Sequence, residues 1–195
     1  MKNIIFDLGG VILKGKASSV LDKLNTTEEE YNTLLKFFDD WYKLDTDFQT
    51  IEEKFDSCNF SEEIINKYKD KLLKYYELRD LNKELLDLIK ELKKNNKVYI
   101  LSNYNRVAAL YYKSLDGLKD LDGYVFSYEY KLVKPEEELF QIFLDKYNLK
   151  KEDCYFIDDT LDNINIAQSI GINAHQFIGN EDLIKYFKDN NIIGE

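Results

Sequence analysis

The chain has 195 residues, of which 27 are basic and 37 are acidic, so its net charge is −10 at neutral pH. This length is typical of one domain, or of one core that carries a small insertion. Apolar residues make up 44% of the chain and aromatic residues 14%, which excludes wholesale disorder. The negative charge argues against nucleic acid as a partner, because phosphate backbones are bound mainly by basic residues.

Three features of the sequence favour a soluble cytoplasmic protein. The apolar run at the amino terminus is broken by Asp7 before it reaches the length of a signal-peptide core. No stretch approaches the ~18 uncharged residues that a membrane helix needs, so no membrane partner is expected. Cys58 and Cys154 lie far apart without metal-ligand or redox spacing, and free thiols in a reducing compartment are favoured over a disulfide.

Short apolar and β-branched runs alternate with longer helical patterns along most of the chain. This alternation predicts crossover units and an α/β fold with a mostly parallel sheet flanked by helices. The predicted strands are Asn3–Phe6, Lys97–Leu101, Gly123–Phe126, Asp153–Ile157 and a weaker fifth, Asn173–His175. The predicted helices are Lys83–Lys94, Asn105–Lys113, Pro135–Tyr147, Leu161–Ser169 and Asp182–Asp189.

Residues 15–80 depart from this alternation, because their pattern is almost entirely helical. The predicted helices Thr27–Tyr42 and Ser61–Tyr76 each begin with a capping hydroxyl residue and acids in the first turn. A helical block inserted after the first strand is typical of a lid, although extra scaffold helices would give the same pattern. We expect a core of residues 1–14 and 81–195 and a helical insertion of residues 15–80.

Polar residues stand at the points where the predicted strands end. Ligands of open parallel sheets bind just beyond the carboxyl ends of the strands, so these residues are the candidates for chemistry. Packing alone does not explain why a carboxylate, a hydroxyl, an ammonium and an acidic pair occur at these positions. In chain order they are Asp7, Ser102, Asn103, Lys134, Asp158 and Asp159.

Several of these residues also have a simpler structural explanation. Asp7 could cap a turn, Ser102 could cap the following helix, and Lys134 could be a solvated side chain before Pro135, which is typical of a first helical position. In a phosphate site, the same hydroxyl would hold a phosphoryl oxygen. Lys134 would then supply the local positive charge that an acidic protein needs to bind an anion.

Adjacent carboxylates at the end of a buried strand indicate a cation site. Asp158 and Asp159 repel each other there, and they need a proton or a cation to coexist. Together with Asp7 they offer the oxygen ligands that suit Mg²⁺, which binds a few carboxylates and keeps waters for a substrate phosphate. The alternative is a solvated pair that caps the helix beginning at Leu161, and the metal site is favoured over it.

These motifs, in this order, resemble those of the haloacid dehalogenase superfamily, specifically subfamily IA hydrolases with a helical, C1-type cap after the first strand. The matching segments are FDLGGVIL at 6–13, LSN at 101–103, KP at 134–135 and FIDDTLDNI at 156–164. The resemblance implies a Rossmann-like core, with residues 15–80 as the cap. It also implies a hydrolase that acts on a small phosphorylated substrate.

The resemblance implies a role for each acidic residue of the set. Asp7 would be the nucleophile that forms an aspartyl-phosphate intermediate, which splits one hard displacement into two easier ones. Mg²⁺ would be held by Asp7, the backbone carbonyl of Gly9 and Asp159, with Asp158 close behind. The metal would stabilise the charge that spreads over the transferring phosphoryl group.

The remaining residues would bind the phosphoryl group or support the site. Ser102, Asn103 and Lys134 would hold the phosphoryl oxygens, and Lys134 would also neutralise Asp7. Asn163 matches a polar position that steadies the site from the following helix. Ser102 and Lys134 therefore count, with Asp7, as the expected catalytic residues.

One position departs from the family pattern. Most phosphatases of the superfamily carry a second Asp two residues after the nucleophile, where this chain has Gly9. That Asp protonates the leaving alcohol, and such acid–base help is worth ~10²–10⁴ in rate. Members similar to sugar-1-phosphate phosphatases also have Gly there, so an anomeric or acyl phosphate, with its better leaving group, is the expected substrate.

Two other functions share parts of this pattern. A protein that only binds phosphoryl ligands or a partner is favoured by Gly9, but it would not need Asp7 as a nucleophile. A 2-haloacid dehalogenase also lacks the second Asp, but it needs no metal and lacks the acidic pair. The sequence therefore predicts a Mg²⁺-dependent phosphatase, and it leaves the substrate and the oligomeric state open.

Overall fold

The predicted strands pair into one five-stranded parallel sheet in a computed structural model, which describes residues 1–194. The predicted α/β fold is therefore confirmed. In register, Phe6 at the end of the first strand lies beside Ile100 and Ile157 of its two neighbours. The strands are β1 (Asn3–Phe6), β2 (Lys97–Ser102), β3 (Gly123–Phe126), β4 (Cys154–Asp158) and β5 (Asn173–Gln176), in the order β3-β2-β1-β4-β5.

The chain between β1 and the first core helix is helical, as its pattern predicts. We refer to residues 15–80 as the helical segment. Four short 3₁₀ helices occur in the described part of the chain, and three of them lie in this segment: Ala17–Lys23, Leu35–Phe38 and Tyr75–Leu78. Its α-helices are α1 (Glu28–Leu34), α2 (Tyr42–Asp45), α3 (Ile51–Ser57) and α4 (Glu62–Leu73).

The remaining helices follow the strands as crossover connections. Each predicted core helix is present, with ends that differ by at most two residues. They are α5 (Lys83–Leu92), α6 (Arg106–Ser114), α7 (Ser127–Tyr130), α8 (Glu137–Tyr147), α9 (Leu161–Ser169) and α10 (Asn180–Asp189), with a 3₁₀ turn at Lys151–Asp153. No helix in the described range is long and apolar enough to cross a membrane.

The predicted helix Thr27–Tyr42 is too long. Its capping residue is confirmed, because Thr27 and Glu30 exchange backbone and side-chain hydrogen bonds in a capping box. The α-helix nevertheless stops at the end of α1, and the backbone turns at Asp40, where φ is +46°. Beyond the turn, the Trp41 indole packs back onto the preceding 3₁₀ helix and donates a hydrogen bond to its backbone. Aromatic packing therefore overrides helix propensity here.

Two sequence interpretations of local structure are also wrong. Pro135 is not the first helical residue, because the chain from Val133 to Glu136 forms a turn in which these two residues hydrogen bond to each other, and α8 begins after it. Ser102 does not cap α6. That role belongs to Asn105, whose side chain accepts the N–H of the first helical turn, at Ala108. The Ser102 hydroxyl is therefore left for other contacts.

Apolar clusters cover both faces of the sheet. Successive residues of β1 alternate, with Ile4 and Phe6 in one cluster and Ile5 in the other. The cluster around Ile4 continues into the helical segment, where it includes Phe37 and Tyr75. Full burial of such side chains stabilises the fold by roughly 1.5–3 kcal/mol each. The helical segment is therefore anchored over one side of the sheet through shared apolar packing.

Candidate active site

The carboxyl edge of the sheet brings the predicted site residues together. Asp7 directly follows β1, Ser102 ends β2 and Asp158 ends β4. Lys134 reaches the same place from the turn that precedes α8. All four are at least nine-tenths buried, which is unusual for charged groups unless they are paired.

The Asp7 carboxylate is held through one of its two oxygens. Oδ1 accepts a hydrogen bond from the Ser102 hydroxyl at 2.5 Å and contacts the Lys134 ammonium at 2.8 Å. The Ser102 hydroxyl is itself oriented, because it accepts the backbone N–H of Leu8 at 3.3 Å. Within residues 1–194, no group donates a hydrogen bond to Oδ2 of Asp7. That oxygen is therefore free to bind a ligand or to react.

Lys134 lies between two carboxylates and is positioned by Asn103. Its Nζ contacts Asp158 Oδ2 at 2.5 Å in addition to Asp7. The Asn103 side chain accepts the Lys134 N–H at 2.8 Å and donates to the Lys134 carbonyl at 3.0 Å. Asn103 therefore fixes the backbone of Lys134, and its predicted contact with a phosphoryl group stays a prediction.

Asp158 is fully buried and its hydrogen bonds are satisfied. Its Oδ1 accepts the Thr160 N–H at 2.8 Å, and its Oδ2 accepts the Asn163 amide at 2.9 Å as well as the Lys134 ammonium. Asn163 thus contacts the site from α9. With these partners in place, Asp158 anchors Lys134 and has little freedom to move.

The third carboxylate depends on a glycine for its place. Gly10 has φ of +73°, and a Cβ added there would lie 2.0 Å from Oδ2 of Asp159. Asp159 is an exposed residue, and one carboxylate oxygen from each of Asp7, Asp158 and Asp159 lies within 4.8 Å of the others. Three carboxylates beside one ammonium carry two surplus negative charges. An all-oxygen donor set with this charge fits a hard divalent cation.

Burial and crowding shift the protonation of these groups. Burial raises the pKa of Asp7 to about 6, a shift that Lys134 opposes and Asp158 increases. Burial and the charge of Asp158 likewise raise the pKa of Asp159. Burial by itself would lower the pKa of Lys134, but Asp158 and Asp7 raise it above its ordinary value. The ammonium is therefore charged, and a bound cation would favour the ionised carboxylates.

A cavity of about 270 Å³ lies above this cluster. Its volume is below the roughly 300–1,000 Å³ of pockets for drug-sized ligands, so it suits a small metabolite. The wall includes residues that the sequence did not single out. They come from the loop after Asn103, from the start of α9 and from the helical segment, and they are Tyr104, Thr160, Gly15, Lys16, Ala17, Trp41 and Arg79.

Two of these missed residues carried a readable signal. Tyr104 follows the Ser102–Asn103 motif directly, and its hydroxyl lies 3.5 Å from the point where Gly9 would carry a Cβ. Arg79 is one of two arginines in the chain. Trp41 carried no such signal, because aromatic residues at helical spacing usually belong to the core.

Comparisons with known proteins agree with the fold and the motifs. Residues 1–171 match the family model of the haloacid dehalogenase-like hydrolases. A search of curated proteins finds no match. Among solved structures, similarity extends over nearly the whole chain to a HAD family enzyme of Bacteroides thetaiotaomicron in complex with magnesium and inorganic phosphate. That enzyme, as an Asp-to-Ala mutant, has a TM-score of 0.75 and 23% identity over 96% of this chain and 99% of its own.

Two further structures share the fold at lower identity. A predicted HAD-like family hydrolase from Porphyromonas gingivalis has a TM-score of 0.70 and 19% identity, over 100% of this chain and 99% of its own. The L-2-haloacid dehalogenase of Xanthobacter autotrophicus, with chloropropionic acid covalently bound, has a TM-score of 0.66 and 14% identity, over 100% of this chain and 85% of its own. Since the family match spans most of the sequence and the Rossmann-like sheet carries its motifs at one edge, this chain belongs to the haloacid dehalogenase-like hydrolases and is an enzyme of that family.

Proposed function

We propose that this enzyme is a Mg²⁺-dependent phosphatase that acts on a small phosphorylated metabolite through an aspartyl-phosphate intermediate. The observation that carries the proposal is the cluster of three carboxylates within 4.8 Å, with the Lys134 ammonium on two of them. A 2-haloacid dehalogenase does not need the acidic pair of Asp158 and Asp159, whereas a magnesium-dependent phosphatase does. The Bacteroides enzyme, which shares this fold, has been solved in complex with magnesium and inorganic phosphate, and this supports the proposal.

The residues present fit a magnesium ion. Asp7, Asp159 and the backbone carbonyl of Gly9 would hold it, with Asp158 beside them. Bound there, Mg²⁺ would supply positive charge that stabilises the transferring phosphoryl group. Gly9 can serve in this way because the proposed ligand is its backbone oxygen, which does not depend on the missing side chain.

Asp7 would carry out the covalent step. A carboxylate oxygen attacks the phosphorus and the P–O bond to the leaving group breaks. The leaving oxygen takes up a proton from water where it needs one, because no acid stands at position 9. Water then attacks the aspartyl-phosphate and releases inorganic phosphate and the free carboxylate. The contacts of Ser102 and Lys134 on Oδ1 hold the carboxylate in one orientation and leave Oδ2 free.

Ser102 and Lys134 would also bind the phosphoryl oxygens. An ammonium has three N–H donors, and Lys134 uses two on Asp7 and Asp158. One donor is therefore left for an incoming oxygen. The single O–H donor of Ser102 would reach the same group by turning away from Asp7 when the substrate binds. Asn163 would support this arrangement by holding Asp158 in place.

The glycine at position 9 restricts the substrates that can turn over. No carboxylic acid stands there to protonate a poor leaving group, so an anomeric or acyl phosphate is the proposed substrate class. This assignment places the enzyme near the sugar-1-phosphate phosphatases of the superfamily. Measured rates should be higher for sugar 1-phosphates than for the matching 6-phosphates, and faster turnover of the 6-phosphates would refute the assignment.

The helical segment is the proposed cap of this enzyme, of the C1 type that defines subfamily IA. It is inserted between β1 and β2, and its residues Lys16, Ala17 and Trp41 contribute to the wall of the cavity. Substrate selection would therefore depend on this segment. Cytoplasmic location is a further prediction, consistent with Cys58 and Cys154 being free thiols.

A phosphate-release assay tests the proposed activity. The purified enzyme should release p-nitrophenol from p-nitrophenyl phosphate only with Mg²⁺, and Asp7→Asn should abolish the release. Asp70→Asn, which removes an exposed carboxylate of the helical segment, is the matched control and should retain full activity. Release of chloride from 2-chloropropionate without metal would instead identify a dehalogenase. Phosphate binding without hydrolysis of any ester would identify a silent binding protein.

A further inference from the structure

Arg79 is a buried positive charge on the wall of the active-site cavity. The residue is only 8% exposed, and it borders the same cavity as Asp7 and Lys134. Of the 27 basic residues in the chain only two are arginines, and the other, Arg106, is exposed and paired with Asp47. The acidic chain thus places one of its two guanidinium groups beside the proposed catalytic centre.

The guanidinium has no anionic partner of its own. Nη2 donates to the backbone carbonyls of Lys14 at 3.2 Å and Gly15 at 2.6 Å, and Nε is buried without a hydrogen-bond partner. Within residues 1–194, Nη1 donates to no acceptor and no carboxylate pairs with the group. Two carbonyl dipoles compensate a buried charge only in part. An anion supplied from outside would complete the site.

Arg79 is held in a fixed place by the two connections between the core and the helical segment. These connections run side by side, because Leu13 bridges to Leu81 and the Lys14 N–H donates to the Asp80 carbonyl at 2.8 Å. The Nη2 contacts bind the guanidinium to the outgoing connection. Arg79 is therefore anchored in the cavity wall by its own hydrogen bonds and needs little ordering to bind a ligand.

The other charges of the cavity are already committed. Lys134 is neutralised by Asp7 and Asp158, and the acidic cluster is the proposed cation site. Arg79, together with the exposed Lys16 beside Gly15, is the positive charge that is left for a substrate. A guanidinium also presents donors in a fork that matches a carboxylate or a phosphate through two hydrogen bonds, which an ammonium does not.

We propose that Arg79 binds a second anionic group of the substrate, a carboxylate or a second phosphate, distal to the phosphate that is hydrolysed. The inference rests on the proposed phosphatase function and narrows its substrates to phosphorylated compounds that carry a second anionic group. A sugar phosphate without a second anionic group would leave the guanidinium unpaired, so it would bind more weakly than a sugar phosphate that carries one.

Calorimetric titration with non-hydrolysable analogues tests this assignment. The probes are propylphosphonate, 3-phosphonopropionate and propane-1,3-diphosphonate, which share one phosphonate and differ in a distal methyl, carboxylate or second phosphonate. With Mg²⁺ present, the wild type should bind at least one of the two probes that carry a second anionic group about 10- to 100-fold more tightly than propylphosphonate. This is the gain expected for a charge-assisted hydrogen bond. The preferred probe identifies the distal group as carboxylate or phosphate.

Arg79→Gln should remove this preference while propylphosphonate binds as before. Arg79→Lys keeps a positive charge at this position but lacks the forked donors of the guanidinium, so its preference for a second anionic group should fall severalfold. This variant takes the place of Arg79→Gln in the test if Arg79→Gln does not fold. Arg106→Gln removes the other guanidinium and should leave all three affinities unchanged. A purely structural Arg79 would instead lower the melting temperature and weaken all three probes equally.

Two outcomes overturn the assignment: the wild type binds the three probes equally or not at all, or the preference survives in both Arg79 variants. The proposed function fails separately. If the wild type hydrolyses p-nitrophenyl phosphate but shows no preference among the probes, only the second anionic group is refuted. If the wild type hydrolyses no ester but binds the probes with a second anionic group more tightly, and the Arg79 variants lose this preference, the anion site stands and the phosphatase activity is refuted.

Discussion

The sheet edge and the helical segment are stabilised in opposite ways. At the edge, Asp7, Lys134 and Asp158 are buried charges held by one another and by amide and hydroxyl groups. In the helical segment, aromatic rings dominate, with Phe37 edge-on to Phe38 at 5.1 Å and to Phe55 at 6.1 Å. Apolar packing is non-directional and tolerant, whereas a buried charge network depends on every partner. The edge therefore carries the proposed active site and is the more fragile region.

The largest effect is expected at the centre of the charge network. Lys134→Met leaves Asp7 and Asp158 buried without their shared cation, which should lower the free energy of unfolding by about 3–5 kcal/mol in metal-free buffer. Lys94→Met, which removes only an exposed ion pair with Glu91, should change it by less than about 1 kcal/mol. Urea denaturation of both variants measures the difference, and equal losses would contradict the contrast between the two regions.

Alanine substitutions of two adjacent glycines distinguish local strain at the sheet edge from the general effect of adding a side chain. Gly10→Ala forces a Cβ into Asp159 at a positive φ, so it should cost about 2–4 kcal/mol of stability and weaken Mg²⁺ binding at least tenfold. Gly9→Ala should do neither, because the added Cβ would meet only ordinary contacts at 3.5 Å or more. Calorimetric Mg²⁺ titration of both variants decides the point. If both bind Mg²⁺ equally well, Asp159 is not a ligand.

Asp45 departs from the apolar character of the helical segment. Burial raises the pKa of Asp45 to about 7, and its Oδ1 has no hydrogen-bond partner. Because the folded state favours the protonated form, its contribution to stability is complete below pH about 4 and is lost as the pH rises to about 7. Asp45→Asn should therefore be more stable than the wild type by about 1–2 kcal/mol at pH 8 and not at pH 4.

The control for this pH effect is Asp70→Asn in the same segment, since Asp70 is exposed. Urea denaturation at both pH values should show no pH-dependent difference for this variant. A stability gain for Asp45→Asn that is equal at the two pH values would show that burial of the charge is not its cause.

The smallest effect is expected at a helix start in the helical segment. Thr50 caps α3 and exchanges hydrogen bonds with Glu53, so Thr50→Ala should cost about 1 kcal/mol and leave hydrolysis unchanged. Thr33→Ala removes a hydroxyl that only bonds back to the carbonyl of Glu29 within a helix, and its effect should be near zero. Thermal unfolding ranks the two, and a larger loss for Thr33→Ala would contradict the capping role.

Much of the fold followed from local pattern. Period and composition predicted all five strands, because buried parallel strands are short apolar runs that end in polar residues. The convergence of Asp7, Ser102, Lys134 and Asp158 also followed, since parallel strands end at one edge. The end of α1 at Leu34 did not follow, because the path of the chain beyond it is set by aromatic contacts between residues that helical periodicity treats alike.

The sequence by itself determined the sheet, its polar carboxyl edge and the order of the motifs, because these depend on alternation along the chain and on the chirality of crossover connections. Only the tertiary structure decided the roles of individual side chains. The Asn103 side chain hydrogen bonds to the backbone of Lys134. Arg79 and Asp7 line the same cavity although more than seventy positions separate them in the sequence. Such contacts join residues distant along the chain, and their geometry arises only when the helical segment packs over the sheet.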